Sequence, residues 1–269
     1  MLNRMSLPSW RLPPGVTRGA MDYAASTSVA RDYDKYHADN PLFEYEEQIL
    51  QEEFGGPPPA GVIADLGCGS GRALLPLMRQ GWRGLAVDLS EEMLAVVREK
   101  AEAENLTADC VRANLVEMGA ALVPDGSANH AICLFSTLGM IHGRANRRAA
   151  LGHMRRVLKP GGRLVLHVHN FWFNLRDPGG PGWVLRSLWR GASEKGFDTG
   201  DKYYAYRGVP NFFLHVFRKS ELRADLASAG LRVRRWEHLD VRRRHALRSP
   251  WWLPALRANG WIVVCESTA

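Results

Sequence analysis

The stretch that decides the fold is VIADLGCGSG, residues 62–71. It begins with the apolar pattern of a buried strand, in which Asp65 is the single charged residue. The strand then opens into a GxGxG loop made by Gly67, Gly69 and Gly71. Glycine tolerates positive φ and lets the backbone approach a ligand where a Cβ atom would collide. The stretch therefore predicts a strand followed by a ligand-binding loop.

The spacing of the glycines indicates the class of ligand. A dinucleotide-binding loop follows GxGxxG, but the position that needs its third glycine is Arg72, and the third glycine comes one place early, at Gly71. This spacing disfavours NAD. Asp65 lies beside the loop, where a dinucleotide would place an anionic pyrophosphate, whereas S-adenosylmethionine (SAM) carries an ammonium group and a sulfonium. The charge of the loop therefore favours SAM.

Three further strand ends supply candidate contacts for the same ligand. The next predicted strand, LAVD, ends in Asp88 and is followed by Leu89. A carboxylate there accepts hydrogen bonds from both ribose hydroxyls, as in other nucleoside-binding sheets. The third strand leads to Asn114 and Leu115, where the amide meets the adenine amino group, and the fourth leads to Ser136, beside the expected methyl group.

The rest of the chain predicts the sheet around this loop. Short apolar runs alternate with helical patterns, which is typical of βα units and a parallel sheet. The predicted strands are 61–66, 84–88, 107–112, 129–135, 163–169, 231–238 and 260–266. Ser90, followed by two glutamates, predicts the start of a helix after the second strand. Seven strands fit one doubly wound, Rossmann-like α/β sheet.

Composition and rhythm divide the chain into regions. We predict an arm and helical cap over residues 1–59, ending at the run GGPPP, and a SAM-binding domain over residues 60–269. Residues 170–218 interrupt the βα rhythm and contain a predicted hairpin that pairs 203–206 with 212–217. Since this insertion follows the carboxyl end of a strand, where ligands bind in such sheets, we expect it to cover the acceptor.

Net charge and cysteine content indicate which partners, metals and cellular location to expect. The chain of 269 residues has a formal net charge of +7 and a sequence pI near 9.5. That excess suits an acidic partner such as a nucleic acid, a phosphorylated metabolite or an anionic surface, and equally a solvated basic surface. The four cysteines form no CxxC pair, so we expect reduced core thiols, with no zinc site and no other metal. Without a signal peptide or a long apolar run, the expected location is the cytoplasm, with no membrane partner.

Residues 60–170 resemble the class I SAM-dependent methyltransferases, in particular the methyltransferase-11/25 type. The resemblance is carried by VIADLGCGSG, LAVDLSEEML, RANL, ICLFSTLGMI and LKPGGRLVLHVHN. It implies SAM as cofactor, S-adenosylhomocysteine (SAH) as product, and strand order 3-2-1-4-5-7-6 with the last strand antiparallel. It also implies that the three glycines line the methionine and ribose side, that Asp88 binds the ribose, and that Asn114 with Leu115 flanks the adenine. Asn114 replaces the more common Asp of the family.

A second resemblance lies in the N-terminal region. The segment YDKY, residues 33–36, is similar to the YDxY segment that folds over SAM in many relatives, which makes Tyr36 a further candidate for cofactor contact. The alternative interpretation is that these tyrosines lie on a helix and pack against the core.

Methyl transfer needs a base only if the acceptor must lose a proton, and histidine suits that task by its pKa. His169, at the carboxyl end of the fifth strand, and His142, after the fourth, are the candidates for deprotonating or positioning the acceptor. His215, in the insertion, is a further candidate. His167 lies deeper in its strand and is more typical of a core histidine.

The predicted function is methyl transfer from SAM to an oxygen, carbon or nitrogen atom of a small molecule. The fourth strand has FSTL in place of (D/N)PP(Y/F), which argues against an exocyclic base amine or a glutamine amide as acceptor. RNA is the alternative acceptor, because Arg242 to Arg244 suit phosphates, Trp251 and Trp252 offer stacking surfaces, and FFLHVF is faintly similar to wobble-uridine tRNA methyltransferases. A non-catalytic binding protein of the same fold and an NAD-linked dehydrogenase are weaker alternatives, and the oligomeric state is open.

Overall fold

The computed structural model describes residues 11–268, and the largest feature of that part is a seven-stranded sheet. The strands of the described part are β1 (Val62–Leu66), β2 (Arg83–Asp88), β3 (Ala108–Arg112), β4 (Ala128–Cys133), β5 (Leu158–His169), β6 (Asp201–Tyr206), β7 (Val209–His215), β8 (Leu231–His238) and β9 (Gly260–Ser267). The sheet has the order β3-β2-β1-β4-β5-β9-β8, and β9 runs antiparallel to both neighbours. Because β6 and β7 pair only with each other, this is the predicted order 3-2-1-4-5-7-6. The predicted fold class is confirmed.

Helices cover both faces of the sheet and the region before it. They are α1 (Arg18–Ala24), α2 (Thr27–Arg31), α3 (Tyr33–Tyr36), α4 (Leu42–Phe54), α5 (Leu74–Arg79), α6 (Glu91–Ala103), α7 (Arg144–Val157), α8 (Gly180–Ser193), α9 (Lys219–Ser228) and α10 (Pro254–Arg257). Successive side chains of a strand point to opposite faces, so β1 serves two cores. Ala64 and Leu66 pack in the core that includes α7 and α9, whereas Ile63 packs in the core with α4, α5 and α6.

Two predicted element boundaries can be compared with the structure. Ser90 is the N-cap of α6, since its side-chain oxygen accepts a hydrogen bond from the Met93 amide at 3.2 Å. The fifth strand, in contrast, begins at Leu158 and not at residue 163. The prediction was wrong there because Leu158 already pairs with Ala128 of β4, across a register shift that the glycine-rich turn does not reveal in the sequence.

The insertion after β5 contains a 3₁₀ helix (Phe171–Arg176), α8 and the hairpin β6–β7. The hairpin turn is shorter than predicted, because Tyr206 pairs with Val209 and only Arg207 and Gly208 lie between them. Both turn residues have positive φ, 48° and 82°, which is the geometry of a two-residue hairpin turn whose twist matches the flanking strands.

The N-terminal helices pack against both the sheet and the insertion. The buried face of α4, with Leu42 and Ile49, belongs to the same core as Ile63 of β1. Helix α1 lies on β7 so closely that a Cβ atom at Gly19 would lie 2.2 Å from the carbonyl oxygen of Asn211. Among the described residues, no helix is long and apolar enough to cross a membrane.

Candidate functional site

A cavity of about 290 Å³ lies at the carboxyl ends of β1, β2 and β4. Its volume is at the lower end of the ~300–1,000 Å³ range usual for small-molecule sites. The glycine loop forms its floor, and α1 with the hairpin β6–β7 forms its roof. Most of the predicted cofactor-binding residues line it, namely Asp65, Gly67, Gly69, Asp88, Leu89, Asn114, Leu115 and Ser136. Gly71 and Tyr36 do not.

Each of the three loop positions is a glycine for a different structural reason. Gly67 has a φ of 92°, and a Cβ atom there would lie 2.3 Å from the Cγ2 atom of Thr137. At Gly69 a Cβ atom would meet only Tyr33, at 4.0 Å, so this glycine leaves space on the cavity side. Gly71 faces the opposite way, with Val97 of α6 3.1 Å from its ideal Cβ position. It permits the loop to pack on α6.

Asp88 is held at the cavity wall by backbone amides. Its Oδ2 atom accepts a hydrogen bond from the Gly69 amide at 2.8 Å, and its Oδ1 atom accepts one from the Ser90 amide at 2.8 Å. Burial raises the pKa of this carboxyl, and the amides of Ser90 and Gly69 act against that rise. The carboxylate is thus oriented before a ligand arrives, and each oxygen still has a lone pair for a hydroxyl donor.

Asp65 is buried beneath the loop, with 3% of its surface exposed. Burial, together with the charges of Asp88 and Glu46, raises its pKa to about 8, although Arg72 acts in the opposite direction. No described residue makes a hydrogen bond to its side chain. A buried carboxyl of this kind is stabilised in its charged form by a cation that enters the cavity.

The chain leaves β4 through two residues in the left-handed region, Phe135 with a φ of 50° and Ser136 with a φ of 63°. Such non-glycine conformations cost ~1–3 kcal/mol each and are concentrated at functional sites. The Ser136 amide donates to the His167 carbonyl at 3.1 Å, which helps to hold the turn. The Ser136 Oγ atom is buried and has no hydrogen-bond partner among the described residues, so it can bond to a ligand in the cavity.

Asn114 lies at the cavity wall, but its amide is already engaged. The Nδ2 atom donates to the Pro14 carbonyl at 2.9 Å and to Glu117 at 3.0 Å, while the Oδ1 atom accepts from the Val116 amide at 3.2 Å. The residue therefore fastens the N-terminal arm beside the cavity. One lone pair of Oδ1 remains without a donor among these contacts.

The YDKY segment lies over the glycine loop. Its contacts there are made by Tyr33 and Asp34, and not by Tyr36. Tyr33 lines the cavity, whereas the Tyr36 side chain is 58% exposed and packs under the guanidinium of Arg207 at 4.4 Å. Asp34 fixes the segment, because it accepts a hydrogen bond from the Ser70 hydroxyl at 2.6 Å and pairs with Lys100. Tyr33 and Tyr36 both lie near the Arg207 guanidinium, but only Tyr33 reaches the cavity. The sequence alone did not indicate which of the two lines it.

The histidine candidates have different surroundings. His169 lines the cavity, and its pKa is lowered to about 4 by burial and by the charges of Arg243 and Lys202, with Asn259 acting against the shift. His142 lies outside the lining and packs against Phe213, with 5.0 Å between ring centroids. His167 and His215 are fully buried away from the lining.

The site also contains an ion pair that the sequence did not predict. Arg72, at the position where a dinucleotide-binding loop has its third glycine, lines the cavity and donates to Glu46 of α4 at 2.6 Å. Its guanidinium also stacks over Phe43 at 3.6 Å. Burial raises the pKa of Glu46, while Arg72 and the Phe135 amide act against that rise. A helical pattern containing a glutamate carried no signal that this carboxylate would be buried.

The remaining sequence candidates lie away from this cavity. No group of three His, Cys, Asp or Glu side chains within residues 11–268 is arranged to hold a metal ion. Arg242, Arg243 and Arg244 line a separate cavity. Trp251 and Trp252 are 81% and 55% exposed on the surface.

Comparisons with known proteins agree with this geometry. A family model described as a methyltransferase domain matches residues 63–162. A demethylmenaquinone methyltransferase of Thermus thermophilus is 30% identical over 180 residues, which cover 64% of this chain and 74% of that protein. A candidate methyltransferase of a Geobacillus species is 29% identical over 147 residues, or 53% of this chain, and the chain spans only 57% of that relative's length.

Among solved structures, a similar fold is found in the 1,6-didemethyltoxoflavin-N1-methyltransferase of Burkholderia thailandensis, which was crystallised with 1,6-didemethyltoxoflavin and SAH. The TM-score is 0.59 at 19% identity, over 90% of this chain and 85% of that one. The matched domain, the Thermus relative and the shared fold show that this chain belongs to the class I SAM-dependent methyltransferases, with SAM as its cofactor.

Proposed function

We propose that this chain transfers the methyl group of SAM to an oxygen, carbon or nitrogen atom of a small-molecule acceptor. The observation that carries the proposal is the presence of Asp65 and Asp88 in the lining of one cavity, on either side of the glycine loop. One carboxyl is buried without a hydrogen-bonding partner, and the other is oriented by two amides. This pairing suits a ligand that has a cationic end and a pair of ribose hydroxyls.

The residues of the cavity have complementary roles in this proposal. Asp88 accepts hydrogen bonds from the ribose hydroxyls, and Asp65 balances the positive charge of the methionine end. Leu89, Asn114 and Leu115 flank the adenine. Ser136, with its unpartnered hydroxyl, lies on the side where the methyl group is transferred.

Bound SAM supplies a methyl group that is already activated by its sulfonium. The protein's contribution is therefore to orient the acceptor and to exclude water. The hairpin strands and α1 cover the cavity for that purpose. His169 is neutral at pH 7 because its pKa is lowered to about 4, so its ring can accept a hydrogen bond from the acceptor but attracts a proton only weakly.

A small acceptor fits the covered cavity better than a polymer does. Tyr23 of α1 stacks on Tyr206 of the hairpin with 5.9 Å between ring centroids, so the roof is continuous over the loop. The names of two similar proteins point to small acceptors as well, since one acts on demethylmenaquinone and the other was crystallised with 1,6-didemethyltoxoflavin.

The test is calorimetric titration of the full chain with SAM, SAH and NAD, using Asp88→Asn as the main variant. Asp109→Asn is the matched control, because Asp109 is an exposed carboxylate on the next strand whose one ion pair within residues 11–268 is with Arg83, at 3.6 Å. A hydrogen bond to a charged group contributes ~1.5–3 kcal/mol, so Asp88→Asn should weaken SAM and SAH binding by about 10- to 100-fold.

In the same titrations, wild type and Asp109→Asn should bind SAM and SAH alike, and neither should bind NAD. A wild-type protein that ignores SAM, or an Asp88→Asn variant that binds it as well as wild type, contradicts the proposal. Incorporation of labelled methyl groups into pooled metabolites and, in parallel, into RNA then identifies the acceptor class.

A further inference from the structure

A second cavity, of about 520 Å³, lies on the other side of His169 from the SAM cavity. Three residues, His169, Tyr204 and Leu214, line both cavities and form the wall between them. Tyr204 remains a hydrogen-bond donor at neutral pH, since burial raises its pKa to about 12. A molecule in the second cavity therefore meets two polar side chains at the boundary with the cofactor.

The charged side chains that line the second cavity are mostly cationic. Its lining contains the cationic residues Lys202, Arg242, Arg243 and Arg244, and a single acidic residue, Asp177. Lys202 is already engaged, because its Nζ atom donates to Asn174 at 2.8 Å and lies 3.6 Å from Asp177. The three arginines are left without a carboxylate in the lining.

Arg243 is the most informative of them. It is half-buried, and no described residue forms an ion pair or a side-chain hydrogen bond with it. The carboxylate whose charge it feels, Glu46, is bound to Arg72. A partly buried guanidinium without an anion is unfavourable, so this position is suited to an anion that arrives from outside.

The backbone fixes Arg243 in this place. The turn from Asp240 to Arg244 is closed by two hydrogen bonds to Asp240, from the Arg243 amide to its carbonyl at 3.1 Å and from the Arg244 amide to its carboxylate at 2.8 Å. Arg243 has a φ of 59°, in the left-handed region. A strained residue at the wall of a cavity is typical of a ligand-binding position.

We propose that the second cavity is a subsite for the anionic group of the methyl acceptor, a carboxylate or a phosphate, and that Arg243 is its main ligand. A guanidinium binds both groups with two parallel hydrogen bonds. The acceptor extends from there past His169 and Tyr204 toward the cofactor. Its role as an acceptor rests on the proposed function above, whereas the binding of an anion does not.

The experiment measures anion binding to the full chain by NMR, with no methyl transfer required. The probes are benzoate, its neutral analogue benzamide, and inorganic phosphate, at constant ionic strength. The variants are Arg243→Met, Arg243→Lys and Arg242→Met. Arg186→Met is the matched control, because Arg186 is an exposed arginine of α8 that lines neither cavity.

We expect wild type and Arg186→Met to bind benzoate or phosphate equally, and benzamide much more weakly. Arg243→Met should weaken anion binding about tenfold or more, and Arg243→Lys should lose less because it keeps the charge. Arg242→Met, an exposed change that leaves the fold intact, should give a smaller loss. Binding of benzoate alone identifies a carboxylate site, and binding of phosphate alone identifies a phosphate site.

Three results overturn the subsite: neither anion binds, benzamide binds as well as benzoate, or Arg243→Met binds the anions as well as wild type. SAH titration of the same samples separates the two proposals. If one of these three results is found but SAH binds normally, the subsite is contradicted and the proposed methyl transfer is not. Anion binding that depends on Arg243 in a protein that ignores SAM and SAH leaves the subsite standing and contradicts the proposed function.

Discussion

At the scale of single residues, we expect the buried carboxyl of Asp65 to determine how cofactor binding depends on pH. Its pKa is raised to about 8, mainly by burial, so below that pH the free protein holds a proton there. A bound ammonium or sulfonium favours the charged carboxylate and lowers this pKa. On the proposed function, cofactor binding should therefore release a proton.

The sign of the pH dependence follows from this linkage. We expect SAH affinity to rise with pH up to about 8 and then to level off, falling by up to about tenfold for each pH unit below that value. Calorimetry between pH 6 and 8.5, in buffers of different ionisation enthalpy, measures both the affinity and the proton released. Asp65→Asn should bind more weakly at pH 8 and lose the dependence. A wild-type affinity that does not change with pH contradicts this role.

At the scale of elements, the covered cavity depends on the close contact between α1 and β7. Gly19 is the position where this contact has no spare room, because a Cβ atom there would lie 2.2 Å from the Asn211 carbonyl oxygen. Neighbouring aromatic rings, such as Tyr23 on Phe212 with 5.2 Å between centroids, continue the same contact. The cover of the cavity is thus built from two segments that are far apart in the chain.

Gly19→Ala should separate the two segments, lower the melting temperature and weaken SAH binding, since the added methyl meets a backbone atom that cannot rotate away. Gly152→Ala in α7 is the matched control, because nothing lies within 4 Å of its ideal Cβ position. It should leave SAH binding unchanged and stabilise the protein by up to ~1 kcal/mol through helix propensity. Thermal unfolding with and without SAH measures both variants, and equal SAH affinity in Gly19→Ala and wild type contradicts the role of the contact.

At the scale of the whole molecule, a buried polar network joins the insertion to the sheet's helices. His215 of β7 lies between two carboxylates, with Nδ1 2.8 Å from Asp201 and Nε2 3.0 Å from Glu221 of α9. Arg147 of α7, which is fully buried, extends the network to Glu221 at 3.3 Å. His215, a candidate for acceptor chemistry on sequence grounds, therefore holds the insertion in place over the site.

This network makes the fold sensitive to acid. Burial acts to raise the pKa of Glu221, but the hydrogen bond with His215 and the charges of His215 and Arg147 are stronger and lower it. A carboxyl whose folded pKa is depressed stabilises the protein above its ordinary pKa of 4.5, and that stability is lost as pH falls through the folded value.

Glu221→Gln should therefore cost ~1.5–3 kcal/mol at pH 7, because it removes a charged hydrogen-bond partner of His215 and Arg147. These two side chains keep Asp201 and Asp198, respectively, as carboxylate partners. The difference from wild type should narrow as the pH is lowered through and below 4.5. Urea unfolding between pH 7 and pH 3.5 measures the effect, with Glu102→Gln on the exposed side of α6 as control. If the free energies of unfolding of Glu221→Gln and Glu102→Gln depend on pH in the same way, Glu221 does not supply this stability.

The sequence by itself determined the features that depend on neighbouring residues. The strand VIADL, the loop glycines and the Ser90 cap follow from local pattern, and a run of such βα units predicts a doubly wound sheet. The carboxyl ends of parallel strands meet at one edge of a sheet, so the convergence of Asp65, Asp88, Asn114 and Ser136 on one cavity followed from their places in the sequence.

The tertiary structure alone decided which side chains are buried, paired or free. It placed Tyr33 and not Tyr36 in the cavity lining, paired Arg72 with Glu46, and left Arg243 without an ion-pair partner among the described residues. These outcomes depend on the packing of segments that are distant in the chain, and the free energy of a charged group depends on the burial and partners that such packing creates. A local sequence pattern carries no information about burial or partners, because the same arginine or glutamate occurs equally well on a solvated surface.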